Sequence, residues 1–320
     1  MTDIITLGEA LIDFVPTESG VSLKAVPGFH RRFGGAPANV AIGLARLGGN
    51  VGFIGKVGED SFGDFLKDKF KDEGVDVRGL YRTSRANTTL AFVSLTEEGE
   101  RDFVFYRNPG ADELLEPKEI KEDYIESAEV LHFGSLSLTR KETRKATIRA
   151  IKYARRHEVT VTMDPNIRLN LWEDENRLQE LVLDLAEEVN LMKLSKEEVF
   201  FLTGMEDLVS GTNRLLELGP ELIVVTLGAK GCFLNYRDSK TRISGHDVEV
   251  QDTTGAGDGF MAGALKKLLK DDMNLTELEK EDAVEALRFG NAAAALTTTG
   301  YGAISSFPTY EEVESFLEKP

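Results

Sequence analysis

A chain of 320 residues that is 41% hydrophobic and 29% charged has globular composition and enough length to bury a sizeable core. Its 55 acidic residues against 38 basic ones give a net charge of −17, a field that repels nucleic acid and acidic membrane surfaces, so neither is an expected partner. No apolar run approaches the roughly 18 residues of a membrane helix, and an acidic N-terminal stretch with a lone Cys232 points to a reducing, cytoplasmic location without disulfides or a thiolate metal cluster.

In chain order, residues 4–7 read as a buried strand, 37–47 as a helix, 51–57 as a second buried strand and 62–73 as a second helix. Residues 88–106, TTLAFVSLTEEGERDFVFY, alternate in the manner of an antiparallel hairpin turning at Glu98-Gly99. Strands at 130–133, 159–163, 191–194 and 222–226 then alternate with helices at 141–157, 175–188 and 213–218. Strands this continuously apolar are covered on both faces. The expected fold is therefore α/β, with a central, mostly parallel sheet flanked by helices in three layers. Residues 15–33 and 88–106 break the rhythm and suggest a small β sheet standing off the body as a lid. With no linker, repeat or low-complexity tail, 1–320 reads as one domain carrying these insertions.

The segment with most chemistry in it is 251–264, QDTTGAGDGFMAGA. Gly255, Ala256 and Gly257 are small enough for backbone N–H groups to approach a ligand, and the apolar run at 260–269 reads as the helix that follows. Unpaired amides and the positive end of a helix dipole then make an anion hole suited to a transferring phosphoryl group. Asp258, in the first turn, is placed to take a proton from a hydroxyl attacking that anion. A simple helix cap with a glycine turn is the competing reading. No G-x-x-x-x-G-K-[ST] loop is present, the third glycine of the dinucleotide fingerprint is missing, and Asp252 with Asp258 misses calcium-loop spacing. Residues 33–47, FGGAPANVAIGLARL, place Gly34, Gly35 and Asn39 where a tight strand-to-helix turn can read sugar hydroxyls, or merely pack closely.

Together these segments resemble the PfkB, or ribokinase-like, family of carbohydrate kinases. GGAPANVAIGLARLGGNVGFIGKVGEDSFG matches its first signature and DTTGAGDGFMAGA its second, in the right order, within a resemblance running from about residue 4 to 308. Within the family the chain looks most like fructokinases, through PGFHRRFGGAPANVA, LAFVSLTEEGERDFVFYRNPGAD, HFGSLSL and DPNIRLNLW. The resemblance implies the ribokinase-like fold, a homodimer formed through the lid sheet, and ATP-dependent phosphoryl transfer to a sugar hydroxymethyl group with Mg²⁺ on the phosphates. It makes Asp258 the base, Gly255, Ala256 and Gly257 the anion hole, and Arg168 the arginine near the transferred phosphate. Asp13, Gly34, Gly35 and Asn39 are the implied sugar contacts; Thr226, Gly228 and Asn291, with Gly257, belong to the nucleotide side.

One departure stands out. The family's N-x-x-E motif, tied to magnesium, reads Ser195-Lys196-Glu197-Glu198 here, with Glu198 kept and serine in place of the amide, as is common in fructokinase-like members. A K⁺ site is implied near Asp252, Thr254 and 297–302. Arg107, in YRNPGAD beside a Pro-Gly turn, is expected to face the sugar, and with Arg168 it would suit a sugar acid as well. The leading expectation is a fructokinase; 2-keto-3-deoxygluconate kinase, a non-catalytic sugar-binding regulator and a Rossmann dehydrogenase are the rivals.

Overall fold

Val51, Phe53, Ile54 and Val57 are each at most 3% exposed, as a strand sandwiched between two helical layers must be. The computed structural model describes residues 2–18, 20, 22–95, 101–269, 275 and 278–318. Within them the strands are β1 (Ile4–Leu7), β2 (Leu11–Pro16), β3 (Phe29–Gly34), β4 (Val51–Gly58), β5 (Asp76–Thr83), β6 (Leu90–Leu95), β7 (Arg101–Tyr106), β8 (Val130–Gly134), β9 (Thr160–Asp164), β10 (Leu191–Ser195), β11 (Leu222–Thr226), β12 (Cys232–Tyr236) and β13 (Ser239–Ile243). The helices are α1 (Ala36–Arg46), α2 (Ser61–Asp72), α3 (Glu122–Glu126), α4 (Lys141–Arg156), α5 (Glu175–Ala186), α6 (Lys196–Thr203), α7 (Leu208–Leu216), α8 (Ala256–Leu268), α9 (Lys280–Thr297), α10 (Ala303–Ser306) and α11 (Tyr310–Leu317).

The large sheet runs β13-β12-β11-β10-β9-β8-β1-β4-β5, parallel from β11 to β5, with β12 and β13 added antiparallel at one edge. Alternation sends Ile4 to one side and Ile5 with Leu7 to the other. The first side packs against α1, α8 and α9 and the second against α4, α5 and α6, so there are three layers around two apolar cores. A second sheet, β3-β2-β6-β7, is separate. Leu90 pairs with Tyr106 and Leu95 with Arg101, antiparallel, while the Glu98-Gly99 turn lies outside the described residues.

Several elements escape a reading by apolar runs. β5 and β13 are edge strands whose charged residues leave only one side buried, β12 and β13 close by a short turn, and α9 buries mostly alanine and glycine, with only Leu287 and Phe289 as large apolar residues. The helix read at 213–218 starts five residues earlier, because Asp207 accepts the Ser210 N–H and caps it.

Candidate active site

Two helix N-termini, from opposite ends of the chain, meet at one point. Gly35 caps α1 with φ 105°, a conformation that L side chains avoid, and a Cβ there would run into the Glu9 carbonyl. Gly255 caps α8 with φ 79°, and a Cβ would strike Ala303. The small residues of both loops are thus demanded by backbone geometry and crowding. Close packing of Gly43 against Ala262 fixes the two helices side by side. Their first turns then place Asn39 against Asp258: Nδ2 donates to Asp258 Oδ2 at 2.9 Å.

Asp258 is 7% exposed. Burial pushes its carboxyl up to about 6; the Asn39 bond and the cations Lys193 and Arg168 pull it down, and Asp164 pushes it further up. A carboxylate so placed is ionised at neutral pH yet far more basic than an ordinary aspartate, which suits a proton acceptor.

Two cavities flank the glycine loop. The first, of about 480 Å³, is lined by Asp13, Gly35, Asn39, Arg168 and Glu198 together with Gly255, Gly257 and Asp258. The second, of about 330 Å³, takes in Thr226, Gly228, Ala256, Phe260 and Asn291. Gly257 and Thr253 line both, so the loop is the wall between them. An acceptor in one cavity and a donor in the other would meet across that wall.

Residues 1–310 match the pfkB family carbohydrate kinase profile. Fructokinase-1 of Zea mays is 42% identical over 317 residues, covering 99% of this chain and 98% of the relative. The chain belongs to the PfkB family of carbohydrate kinases. Among solved PfkB-type structures, the fructokinase of Xylella fastidiosa with bound ATP superposes with a TM-score of 0.90 at 34% identity, and that of Vibrio cholerae O395 with fructose, ADP and calcium ion with 0.89 at 34%, each covering 99% of both chains.

Other expected PfkB site residues divide by placement. Asp13 lies on β2 of the small sheet and reaches the first cavity, and Gly34 leaves room for it, since a Cβ there would run into the Asp13 carboxylate. Gly34 itself is not among the lining residues, so it acts by making space. Asn291 lines the second cavity while its amide donates to the Ser244 carbonyl at 3.1 Å, holding the chain that follows β13.

Three more of the expected residues carry bonds within the protein. Arg107 is 8% exposed and lines neither cavity. Its Nε and Nη2 donate to Asp112 Oδ2 at 2.9 and 2.6 Å, and further bonds reach the Leu136 carbonyl and Thr139. The Pro-Gly turn aims it inward, where Asp112 compensates its charge, and in this arrangement it stands outside both cavities. Glu198 lines the first cavity, yet its oxygens accept from Ile167 N at 2.6 Å and Ser195 N at 2.7 Å, and Ser195 in turn caps Glu198 N. The serine that replaces the family's amide is therefore half of a capping box at the start of α6. Asp252 accepts from Thr254 N and Oγ1 and from Gly302 N, tying two loops together. Among the described residues no three His, Cys, Asp or Glu side chains converge on a metal position.

Sequence reading missed Asp164 and Lys193, both on the first cavity and joined by a 2.7 Å ion pair. The available signal was a lysine in the middle of an otherwise apolar strand, β10, and an aspartate at the carboxyl end of β9, where ligands of parallel sheets bind.

Proposed function

We propose that the protein is an ATP-dependent fructokinase, converting D-fructose and ATP to fructose 6-phosphate and ADP. The observation that carries this is the shared wall: a buried, basic carboxylate and a glycine-rich helix N-terminus stand between two cavities, in a chain similar throughout to fructokinases. Fructose occupies the first cavity, with its hydroxyls on Asp13 and Asn39, and the adenosine of ATP occupies the second beside Thr226, Gly228 and Asn291. Asp258 accepts the hydroxymethyl proton while the first-turn amides of α8 and Arg168 take up charge on the phosphoryl group. Mg²⁺ enters with the nucleotide, bound chiefly by phosphates and waters, as that ion prefers. A K⁺ ion would rest on main-chain carbonyls of the loops that Asp252 joins. A coupled assay over fructose, ribose, 2-keto-3-deoxygluconate, fructose 6-phosphate and adenosine tests the reading, which fails if any other acceptor exceeds fructose in kcat/KM.

Asp13→Ala should raise the KM for fructose by roughly 5- to 150-fold, equivalent to about 1–3 kcal/mol for hydroxyls left without their acceptor, and leave the ATP KM nearly unchanged. Equal effects on both substrates would assign Asp13 to folding or closure instead.

The small sheet, with Asp13 on β2, acts as the lid of the single kinase domain. Fructose should accordingly slow amide hydrogen exchange in β2, β3, β6 and β7 more than in the large sheet, because closure must exclude water from phosphoryl transfer. Uniform exchange with and without sugar would remove the lid. On one face of this sheet Phe14, Phe29, Phe92 and Tyr106 pack ring against ring, with Tyr106 66% exposed. That aromatic surface supports a homodimer joined through the lid. A cytoplasmic location is the matching proposal for an enzyme whose one thiol, Cys232, is buried.

A further inference from the structure

The first cavity is lined by six carboxylate side chains against two cations, Arg168 and Lys193, in a protein of net charge −17. A polyphosphate entering such a place needs those cations. Arg168 stands at the rim, part-buried. Lys193 is 6% exposed, on β10 directly under the glycine loop: a Cβ added to Gly257 would lie 3.0 Å from its Nζ. The ammonium therefore sits against the second residue of α8, at the wall the two cavities share. Among the described residues its hydrogen-bond acceptor is Asp164 Oδ2 at 2.7 Å, which leaves two of its three N–H groups for the cavity.

We propose that Lys193 is a catalytic cation of the phosphoryl transfer, contacting the transferring group from the sheet side of the anion hole, with Asp164 as its positioning residue. This rests on the kinase reading above. In the step, the sugar O6 forms a bond to the γ-phosphorus and the bond from that phosphorus to the bridging oxygen breaks. The electron pair leaves on the β-phosphate of ADP, and the O6 proton passes to Asp258. Lys193 keeps its proton throughout and stabilises charge on the equatorial oxygens. Burial opposes its charge, but Asp164 and Glu198 outweigh burial and hold the ammonium above its ordinary value, so it is cationic across the working range. Gly257 then has a reason of its own, apart from the turn that Gly255 makes: a side chain there would stand between the ammonium and the phosphoryl site.

Lys193→Met alone leaves Asp164 buried without its counter-ion and can fail to fold, so the deciding variant is Lys193→Met with Asp164→Asn, which removes both charges together. Its kcat should fall about 10²- to 10³-fold, the range for losing one preorganised donor, with the fructose KM within threefold of wild type. The acid limb of its kcat/KM profile should also move: Asp258 is faced by Asn39 from α1, Asp164 from β9, Lys193 from β10 and Arg168 from the loop after β9, and deleting one cation and one anion changes that balance. A purely structural role would lower the melting temperature without separating kcat from KM. A folded double variant with kcat within threefold of wild type overturns the proposal. If the double variant does not fold, Lys193→Arg decides, since it keeps the charge but displaces it; about tenfold lower kcat at unchanged fructose KM is expected, and wild-type kcat overturns the proposal. Inactivity of the unmodified enzyme on every sugar is a different failure, that of the kinase reading.

Discussion

Asp258→Asn is expected to fold, to bind fructose nearly as before, and to lose on the order of 10²–10⁴ in kcat, the range for a positioned proton acceptor. Asparagine keeps an oxygen for the Asn39 amide, so the contact between α1 and α8 survives while the basicity is gone. Wild-type kcat/KM should fall as pH drops through about 6, where the Asp258 carboxylate takes up a proton, and the Asn variant should lack that limb. Stability moves the opposite way. The folded-state pKa is raised from 3.8 to about 6, so the native protein holds the proton more tightly than the unfolded chain, and the associated stability is present below about pH 4 and lost as pH rises through about 6. Above that window the ionised group costs on the order of 2–3 kcal/mol, and denaturant unfolding at pH 8 should find Asp258→Asn more stable by about that amount, with little gain at pH 4. A variant within tenfold of wild-type turnover would remove Asp258 from its role as base.

Arg107→Ala should be the most destabilising single change discussed, by about 3–5 kcal/mol, because it strands Asp112, itself 4% exposed, beside Glu113 at 3%. Specificity should barely move. Leu136, whose carbonyl Arg107 holds, lines the first cavity, so any loosening is expected to raise the KM of neutral and acidic sugars alike. Thermal unfolding and the ratio of kcat/KM for fructose over 2-keto-3-deoxygluconate measure the two effects. A selective loss of the sugar acid at unchanged stability would restore Arg107 to the substrate.

The contrast between these two residues shows what a sequence discloses. Asp258 is legible because its neighbours are constrained: a positive φ and close backbone approach require glycines, and a carboxylate in the first helical turn has few uses. The strands at the sheet centre are legible for a similar reason, since burial on both faces tolerates little but apolar residues. For Arg107, sequence gives the charge but not the direction of the side chain, and inward or outward differ by a rotation about the 107–110 turn. Asp112, five residues on in the same loop, was the one local hint of an internal pair. Lys193 and Asp164 are 29 residues apart on adjoining parallel strands, and neither is notable until the sheet sets them side by side. The small sheet was visible as broken rhythm, whereas the pairing of β2 with β6, Ile12 opposite Leu90, depends on tertiary contacts.

The hydrogen bond from Asn39 to Asp258 spans 219 residues and joins the first helix of the chain to one near its end. During synthesis, β1, β4 and β8 can pair long before residue 258 is made, yet until α8 packs against α1 the Asn39–Asp258 contact and the wall between the two cavities do not exist. A chain that ends before α8 can therefore hold most of the large sheet without this site. The contact between the two loops is completed only when the late helix α8 joins α1 in the same layer.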